Sequence, residues 1–388
     1  MKSWAIVVGI NTYPPLAQQG LLQGAAADAW DFADWALDQY GGAVREDRLY
    51  FWTRPWPMAA QVRKMQNLKK YLGGGPPADE AGLAWPPLWY SVNQGLSAPK
   101  RGRAPTALEI TATMETIGRK ARAKALENDD QETRRVYVFL AGHGIRALTF
   151  GRGQETCFLA DDYRVLNGNL VGGLIPCESF RKALIQDRFD EAILFTDCCR
   201  SQTTRTGLIA QPVSDYDGDP IAPHSIAYAA QDNMLAHETT PPNVRGAFSS
   251  ALMRGLRTHR TGANSTLHAA PLKQYVLDNI RDFTNSGQTP SMSFHPNDQD
   301  GPLIVQGPPA AGAAVGRVLD VSALPAGTQL VLHGGDNKPL PGFAPFVVAG
   351  QTLQLPPLSR GLYLIQINDG TGRTTIFQEP SGGVIHVG

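Results

Sequence analysis

Hydrophobic residues follow two rhythms along this chain. Trp4–Ile10 (WAIVVGI) is an unbroken apolar run closed by turn residues at Asn11–Pro15, the pattern of a strand buried on both faces. Gly24–Tyr40 instead carries apolar residues at helical spacing, through Trp30, Ala33, Ala36 and Leu37, and Gly41–Gly42 stands where a helix C-cap is expected. Arg48–Phe51 reads as a second strand. Thr106–Glu109 has the T-x-x-E form of a capping box and opens a helix running to about Leu126. Arg135–Leu140 (RVYVFL), Glu191–Thr196 (EAILFT) and His224–Ala230 are further buried-strand runs. Pro176 suits the first turn of a helix through Gln186, and helices are predicted over Ala247–Arg257 and Pro271–Asp282. Strands alternating with helices give an α/β fold, a mostly parallel sheet flanked by helices.

Two stretches break this alternation. Residues 52–105 are rich in Gly, Pro and Trp, including Trp52, Trp56, Trp85 and Trp89, and read as an insertion with a short helix at Ala59–Leu72. Gly307–Gly316 (GPPAAGAAVG) has the composition of a linker. Beyond it, Val318–Val321, Thr328–Leu332, Phe346–Val348, Leu362–Asn368 and Thr374–Phe377 are short runs between turn signals, which predicts a small all-β domain. The expected division is a main domain over 1–306, a linker over 307–316 and a β-rich domain over 317–388.

Charge narrows the class of partner. The 35 Lys and Arg are matched by 35 Asp and Glu, which removes the usual reason to expect a nucleic acid or a membrane surface. The longest basic stretch, Lys100–Arg103, is too short to change that. No apolar stretch approaches the ~20 residues of a membrane span. Trp4–Ile10 starts almost at Met1 without a charged lead into a long apolar run, so no secretory leader is expected and the expected location is the cytoplasm. Abundant Ala, Gly and Pro with few Lys point to a bacterial source. The four cysteines, Cys157, Cys177, Cys198 and Cys199, contain no CxxC pair, which argues against disulfides and structural zinc. Cys157 and Cys177 read as small buried apolar residues.

The chemistry gathers at two strand ends, where open α/β sheets place their active sites. One strand delivers His143 between two glycines (AGHG), and another delivers Asp197, Cys198 and Cys199 (DCCRS). A thiol must ionise to attack a carbonyl, and an imidazole with a pKa near neutrality assists it. The flanking glycines let backbone approach a substrate and leave amides free to hold an oxyanion. The bland alternative is a core histidine with a buried cysteine pair. It is disfavoured because both motifs sit at equivalent places on separate strands.

These residues resemble the caspase-like cysteine peptidases, above all metacaspases and paracaspases. The resemblance lies in VFLAGHG followed by ILFTDCCRS, in WAIVVGINTYP with L-x-G-x-x-x-D-A after it, and in YAAQDNMLAHE, GAFSSALMRGL and QTPSMSF, and it spans Trp4 to about Val305. It implies His143 and Cys199 as a catalytic dyad, with Asp197 two residues before the nucleophile and Cys198 a bystander. It implies the amides of Gly144 and Cys199 as oxyanion donors. It also implies Asp28, Asp197 and Asp232 as a pocket for Arg or Lys before the scissile bond, since converging carboxylates attract a guanidinium and reject an acid. The alternative roles are a helix first-turn acid for Asp28 and a turn residue for Asp232. This sequence departs from the metacaspase pattern at Ala25, Ala27, Ala141, Cys198, Arg200 and Gln202.

No cofactor is required by this reading. Calcium dependence stays open, with acidic loops at Asp161–Asp162 and Asp215–Asp219 that lack a recognisable ligand spacing. The expected partner is a protein or peptide substrate, and the β-rich domain reads as a docking module for an activating or substrate protein. The loop Ser201–Pro223, which contains Arg205, is an expected self-cleavage segment. Three competing readings remain. One is a non-catalytic interaction protein that keeps the fold. Another is a phosphatase built on the Cys199-x5-Arg205 spacing, which needs a helix directly after the loop. The last is a metal site of Cys198, Cys199 and His143, which adjacent cysteines pointing apart make improbable.

Overall fold

The computed structural model describes residues 1–13, 16, 21–55, 65–71, 105–127, 132–149, 153–166, 170–186, 189–201, 209–210, 213, 222–241, 243–261, 265–295, 299–307, 318–334, 337–340, 345–355, 361–379 and 385–387. The chain divides into two compact units, Met1–Pro308 and Pro309–Gly388.

The first unit opens with β1 (Lys2–Ile10), α1 (Ala25–Leu37), β2 (Leu49–Arg54), α2 (Gln66–Tyr71), α3 (Ala107–Glu127) and β3 (Arg134–Ala141). It continues through β4 (Gly144–Thr149), β5 (Gly153–Val165), β6 (Val171–Pro176), α4 (Cys177–Ile185), β7 (Glu191–Asp197), β8 (Ile209–Ala210) and β9 (His224–Tyr228). It ends with α5 (Ala247–Thr258), β10 (Thr266–His268), α6 (Ala269–Asn279), β11 (Ser291–Phe294) and β12 (Leu303–Gln306).

Six strands form the main sheet in the order β11-β9-β7-β3-β1-β2. All neighbours are parallel except the edge strand β11, which runs antiparallel to β9. Period-2 alternation sends Ala5, Val7, Tyr137, Phe139, Ile193 and Phe195 to one face, where α1, α5 and α6 cover them. Ile6, Val8, Val136, Val138, Leu140 and Leu194 face the other side, against α3 and α4. Both faces are therefore dry, which is why these strands read as continuous apolar runs. Phe32 of α1 stacks on Phe139 of β3 with ring centroids 4.6 Å apart, seating the helix over the centre of the sheet. Thr106 caps the start of α3, its hydroxyl accepting the Glu109 N–H at 3.1 Å.

A second sheet, β6-β5-β4-β8, departs from the alternation that the sequence predicts. It holds polar and glycine-rich strands whose apolar content is too broken to read as buried runs. Helix α1 ends at Leu37, and the Gly42 N–H bonds the Trp35 carbonyl at 3.0 Å, so Gly41–Gly42 fold back on the last turn. Of the predicted helix at Ala59–Leu72, α2 is the described part. The rest of the 52–105 insertion lies largely outside the described residues, as does most of Ser201–Pro223.

The second unit contains β13 (Val318–Asp320), β14 (Gln329–His333), β15 (Phe346–Val347), β16 (Thr352–Gln354), β17 (Gly361–Asn368), β18 (Thr374–Glu379) and β19 (Ile385–His386). They form sheets β16-β13-β19 and β15-β14-β17-β18 around a core that includes Leu319, Val321, Leu330, Leu332, Ile365 and Ile367.

Candidate active site

Parallel pairing of β3 with β7 puts Ala141 opposite Asp197. His143 and Cys199 each follow two residues later, so both leave the same end of neighbouring strands. The Gly142 N–H donates to the Asp197 carbonyl at 3.0 Å, and the Arg146 N–H to the Ser201 carbonyl at 3.1 Å, lacing the two loops together. A Cβ at Gly144 would overlap Cys198 Sγ and lie 2.5 Å from the Cys199 carbonyl oxygen. The sequence reading gave this glycine to substrate approach. In the fold its close neighbour is the Cys198–Cys199 loop.

The Leu159 N–H donates to the His143 carbonyl at 2.9 Å, and Gly144 pairs with Phe158 as β4 meets β5. Successive residues of an antiparallel pair point their amides to opposite sides. The Gly144 N–H therefore turns away from β5, on the side where Cys198 and Cys199 pack. The His143 N–H is held by Tyr13, whose hydroxyl accepts it at 3.0 Å.

Cys199 is half-buried and flanked by Ala236, which donates its N–H to Sγ at 3.4 Å and whose carbonyl accepts the thiol at 3.7 Å. Burial pushes the thiol above its ordinary range, the Asp197 charge adds to this, and the Ala236 N–H opposes it. Cys198 is fully buried, and burial holds its thiol well above the usual range. Alkylation of Cys199 by iodoacetamide is expected to keep accelerating past about pH 8.5, the ordinary thiol pKa. A rate that levels off below neutrality, followed by peptide mass mapping, would contradict this.

Two of the three acids singled out in the sequence meet. Asp28 is 1% exposed, with Oδ1 accepting from Arg245 Nε at 2.5 Å and Oδ2 from the Gly246 N–H at 2.7 Å. Arg245 Nη2 also reaches Asp31 at 2.9 Å. Asp197 Oδ2 accepts from the Ser249 N–H at 3.0 Å and the Ser249 hydroxyl at 2.5 Å. Both carboxyls converge on Gly246, where a Cβ would overlap Asp197 Oδ2 and come within 3.0 Å of Asp28 Oδ2. Burial pushes Asp28 up to about 7 against the pull of Arg245, and Asp197 adds to the rise. Burial likewise pushes Asp197 up to about 6 against the Ser249 bonds, with Glu238 adding to it.

Asp232 has partners other than those of Asp28 and Asp197. It is exposed, and Arg146 and Arg200 both pair with it. The turn after β9 folds back on Arg200, whose N–H donates to the Met234 carbonyl at 3.0 Å and whose carbonyl accepts the Asn233 N–H at 3.1 Å. That fold-back directs Asp232 at the arginines. Glu238 takes a place the sequence reading did not assign. Its Oε1 accepts the Gln23 and Gly24 amides at 2.8 and 2.6 Å, close enough to Asp197 to shift it. Glu238 lies within YAAQDNMLAHE, but nothing in its spacing separates it from a surface acid. Tyr13 was legible only as part of a turn.

The acids considered for calcium have other partners. Asp161 pairs with Arg54, and Asp162 accepts the Ala107 N–H at 2.8 Å at the start of α3. Asp215–Asp219 lie outside the described residues, as does Arg205. The phosphatase alternative needs a helix directly after Arg205, and the next described element is β8, paired with β4. Among the described residues, no three His, Cys, Asp or Glu are grouped to hold a metal ion, and no helix is long and apolar enough to cross a membrane.

A family model described as the Caspase domain matches residues 2–300. A probable protease from a Desulfuromonadales bacterium is 26% identical over 263 residues, which is 66% of this chain and 26% of that protein. The chain thus spans about a quarter of the length of that curated relative. The crystal structure of caspase-1 from Spodoptera frugiperda aligns at 12% identity with a TM-score of 0.42, covering 80% of this chain and 91% of that one.

Proposed function

The chain belongs to the caspase-domain family of peptidases, and from that membership we propose that it is a cysteine endopeptidase acting through a Cys199–His143 dyad and cutting after Arg or Lys. The observation that carries the dyad is the Ala141–Asp197 register, which brings both residues to one end of adjacent strands. His143 takes the thiol proton as Cys199 Sγ attacks the scissile carbonyl. The amides of Gly144 and Cys199 receive the developing oxyanion. His143 then protonates the leaving amine, and water, deprotonated by the same imidazole, releases the acyl group from Cys199.

The basic preference draws support from Asp28 and Asp197 meeting at Gly246, with the Glu238 charge nearby. Arg245 already bonds Asp28 and Asp31, so Asp28 would act on a substrate guanidinium through its field and not through a direct bond. Asp232, engaged by Arg146 and Arg200, contributes only to the surrounding field. The role that fits is regulated proteolysis of protein substrates in a bacterial cell, in signalling, cell death or phage defence. The β-rich unit would dock an activating or substrate protein.

Fluorogenic peptides ending in Arg, Lys or Asp test the preference. The Arg and Lys peptides are expected to exceed the Asp peptide by at least about tenfold in kcat/KM, the ratio of ~1.4 kcal/mol. A preference for Asp would sink the pocket argument while leaving the dyad standing.

A further inference from the structure

We propose that Tyr13 is a positioning residue for this dyad, holding His143 and Gly144 in place through a hydroxyl inserted into the β4–β5 ladder. The inference deepens the proposed peptidase reading and rests on it. Extending the Gly144–Phe158 register by one residue sets His143 opposite Leu159. Two direct backbone bonds would normally join such a pair. One is present, from the Leu159 N–H to the His143 carbonyl at 2.9 Å. In place of the other stands the Tyr13 hydroxyl, which accepts the His143 N–H at 3.0 Å and donates to the Leu159 carbonyl at 3.1 Å.

The surroundings are built for this hydroxyl. Tyr13 is 1% exposed, three residues past β1, whose Gly9 pairs with Ala141 at the end of β3. Its ring lies 5.1 Å from the His143 ring at a tilt of 53°. Gly142 presses against it, and a Cβ there would overlap the Tyr13 oxygen. Burial holds the phenol well above its usual pKa, so it keeps the proton it donates to Leu159. The inserted oxygen opens the ladder at His143 on one side only. That fixes where the imidazole leaves the backbone and which way the next amide, Gly144, points. Without the oxygen, two buried polar groups lose their partner, or close into a direct bond and pull His143 toward β5.

The test is Tyr13→Phe, which keeps the buried ring and removes the oxygen. Two readouts separate positioning from general support. The first is the pH dependence of Cys199 alkylation by iodoacetamide, compared among the native protein, His143→Ala and Tyr13→Phe. The Tyr13→Phe profile is expected to move toward that of His143→Ala. A profile coincident with native overturns the proposal. The second is cleavage of an Arg peptide, where kcat is expected to fall by at least about 30-fold with KM within about twofold. Unchanged kcat in a variant that only melts earlier also overturns it. Should Tyr13→Phe fail to fold, Gly142→Ala, which crowds the same oxygen, is expected to give the same kcat loss and profile shift, and a native profile there counts against the proposal. If native protein cuts none of the peptides, the peptidase reading fails, and the alkylation profiles still decide the role of Tyr13.

Discussion

Replacing Cys199 with Ala is expected to lower peptide cleavage by at least ~10⁴-fold, while Cys198→Ala stays within about threefold of the native rate. The contrast follows from placement. Cys199 is half-buried with its sulfur against the Ala236 backbone, and Cys198 is sealed from solvent beneath Gly144. A thiol sealed in this way can neither ionise nor reach a substrate. Truncating Cys198 removes one buried sulfur, a change of the size of a small cavity, expected to cost about 1 kcal/mol of stability. Initial rates at matched concentrations of folded protein measure both variants. Loss of activity in Cys198→Ala with Cys199→Ala still active would reverse the assignment of the nucleophile.

Gly144→Ala is expected to lose at least about 100-fold in kcat, roughly 2.7 kcal/mol of barrier. The added methyl would overlap Cys198 Sγ, a buried side chain, and the backbone carbonyl of Cys199. Relief comes only if the His143 loop and the nucleophile loop part. That moves the imidazole from the thiol and turns the Gly144 amide from the carbonyl under attack. Overpacking of this kind costs ~1–3 kcal/mol of stability, which a domain of this size tolerates. The variant should therefore be folded by thermal melting and nearly inactive in the peptide assay. Native activity in Gly144→Ala would mean the loops do not need their close approach.

Asp28 and Asp197 show where sequence and structure part. Their residue types and the spacing of Asp197 from Cys199 were legible, but their partners were not. Arg245 and Ser249 lie 217 and 52 residues away along the chain, and no local pattern joins them. Asp232 lies in a recognisable stretch, yet its carboxylate is taken by two arginines because the turn after β9 folds back on Arg200. Glu238 and Tyr13 escaped notice for the same reason. A surface acid and a turn tyrosine acquire their roles from groups just before α1 and on β5 that only folding brings near.

Five of the six main-sheet strands, and the residues at their ends, are legible in the chain alone, whereas the short edge strand β11 (SMSF), only partly buried, carries no such signal. Both faces of the sheet are covered, so its strands are continuous apolar runs, and the motifs AGHG and DCCRS are read directly where those runs stop. The β-rich unit was visible through its turn spacing. Which strands become neighbours is fixed by folding, and with it the placement of the site residues. Parallel pairing in register sets Ala141 beside Asp197, and from that one pairing follow the exit of His143 and Cys199 at one end of neighbouring strands and the contact of Gly144 with the Cys198–Cys199 loop. Hydrophobic patterning states that a strand is buried. Register is a relation between two strands, set by long-range hydrogen bonds and by the packing of Phe32 over Phe139 and Phe195, and no single run of residues carries it.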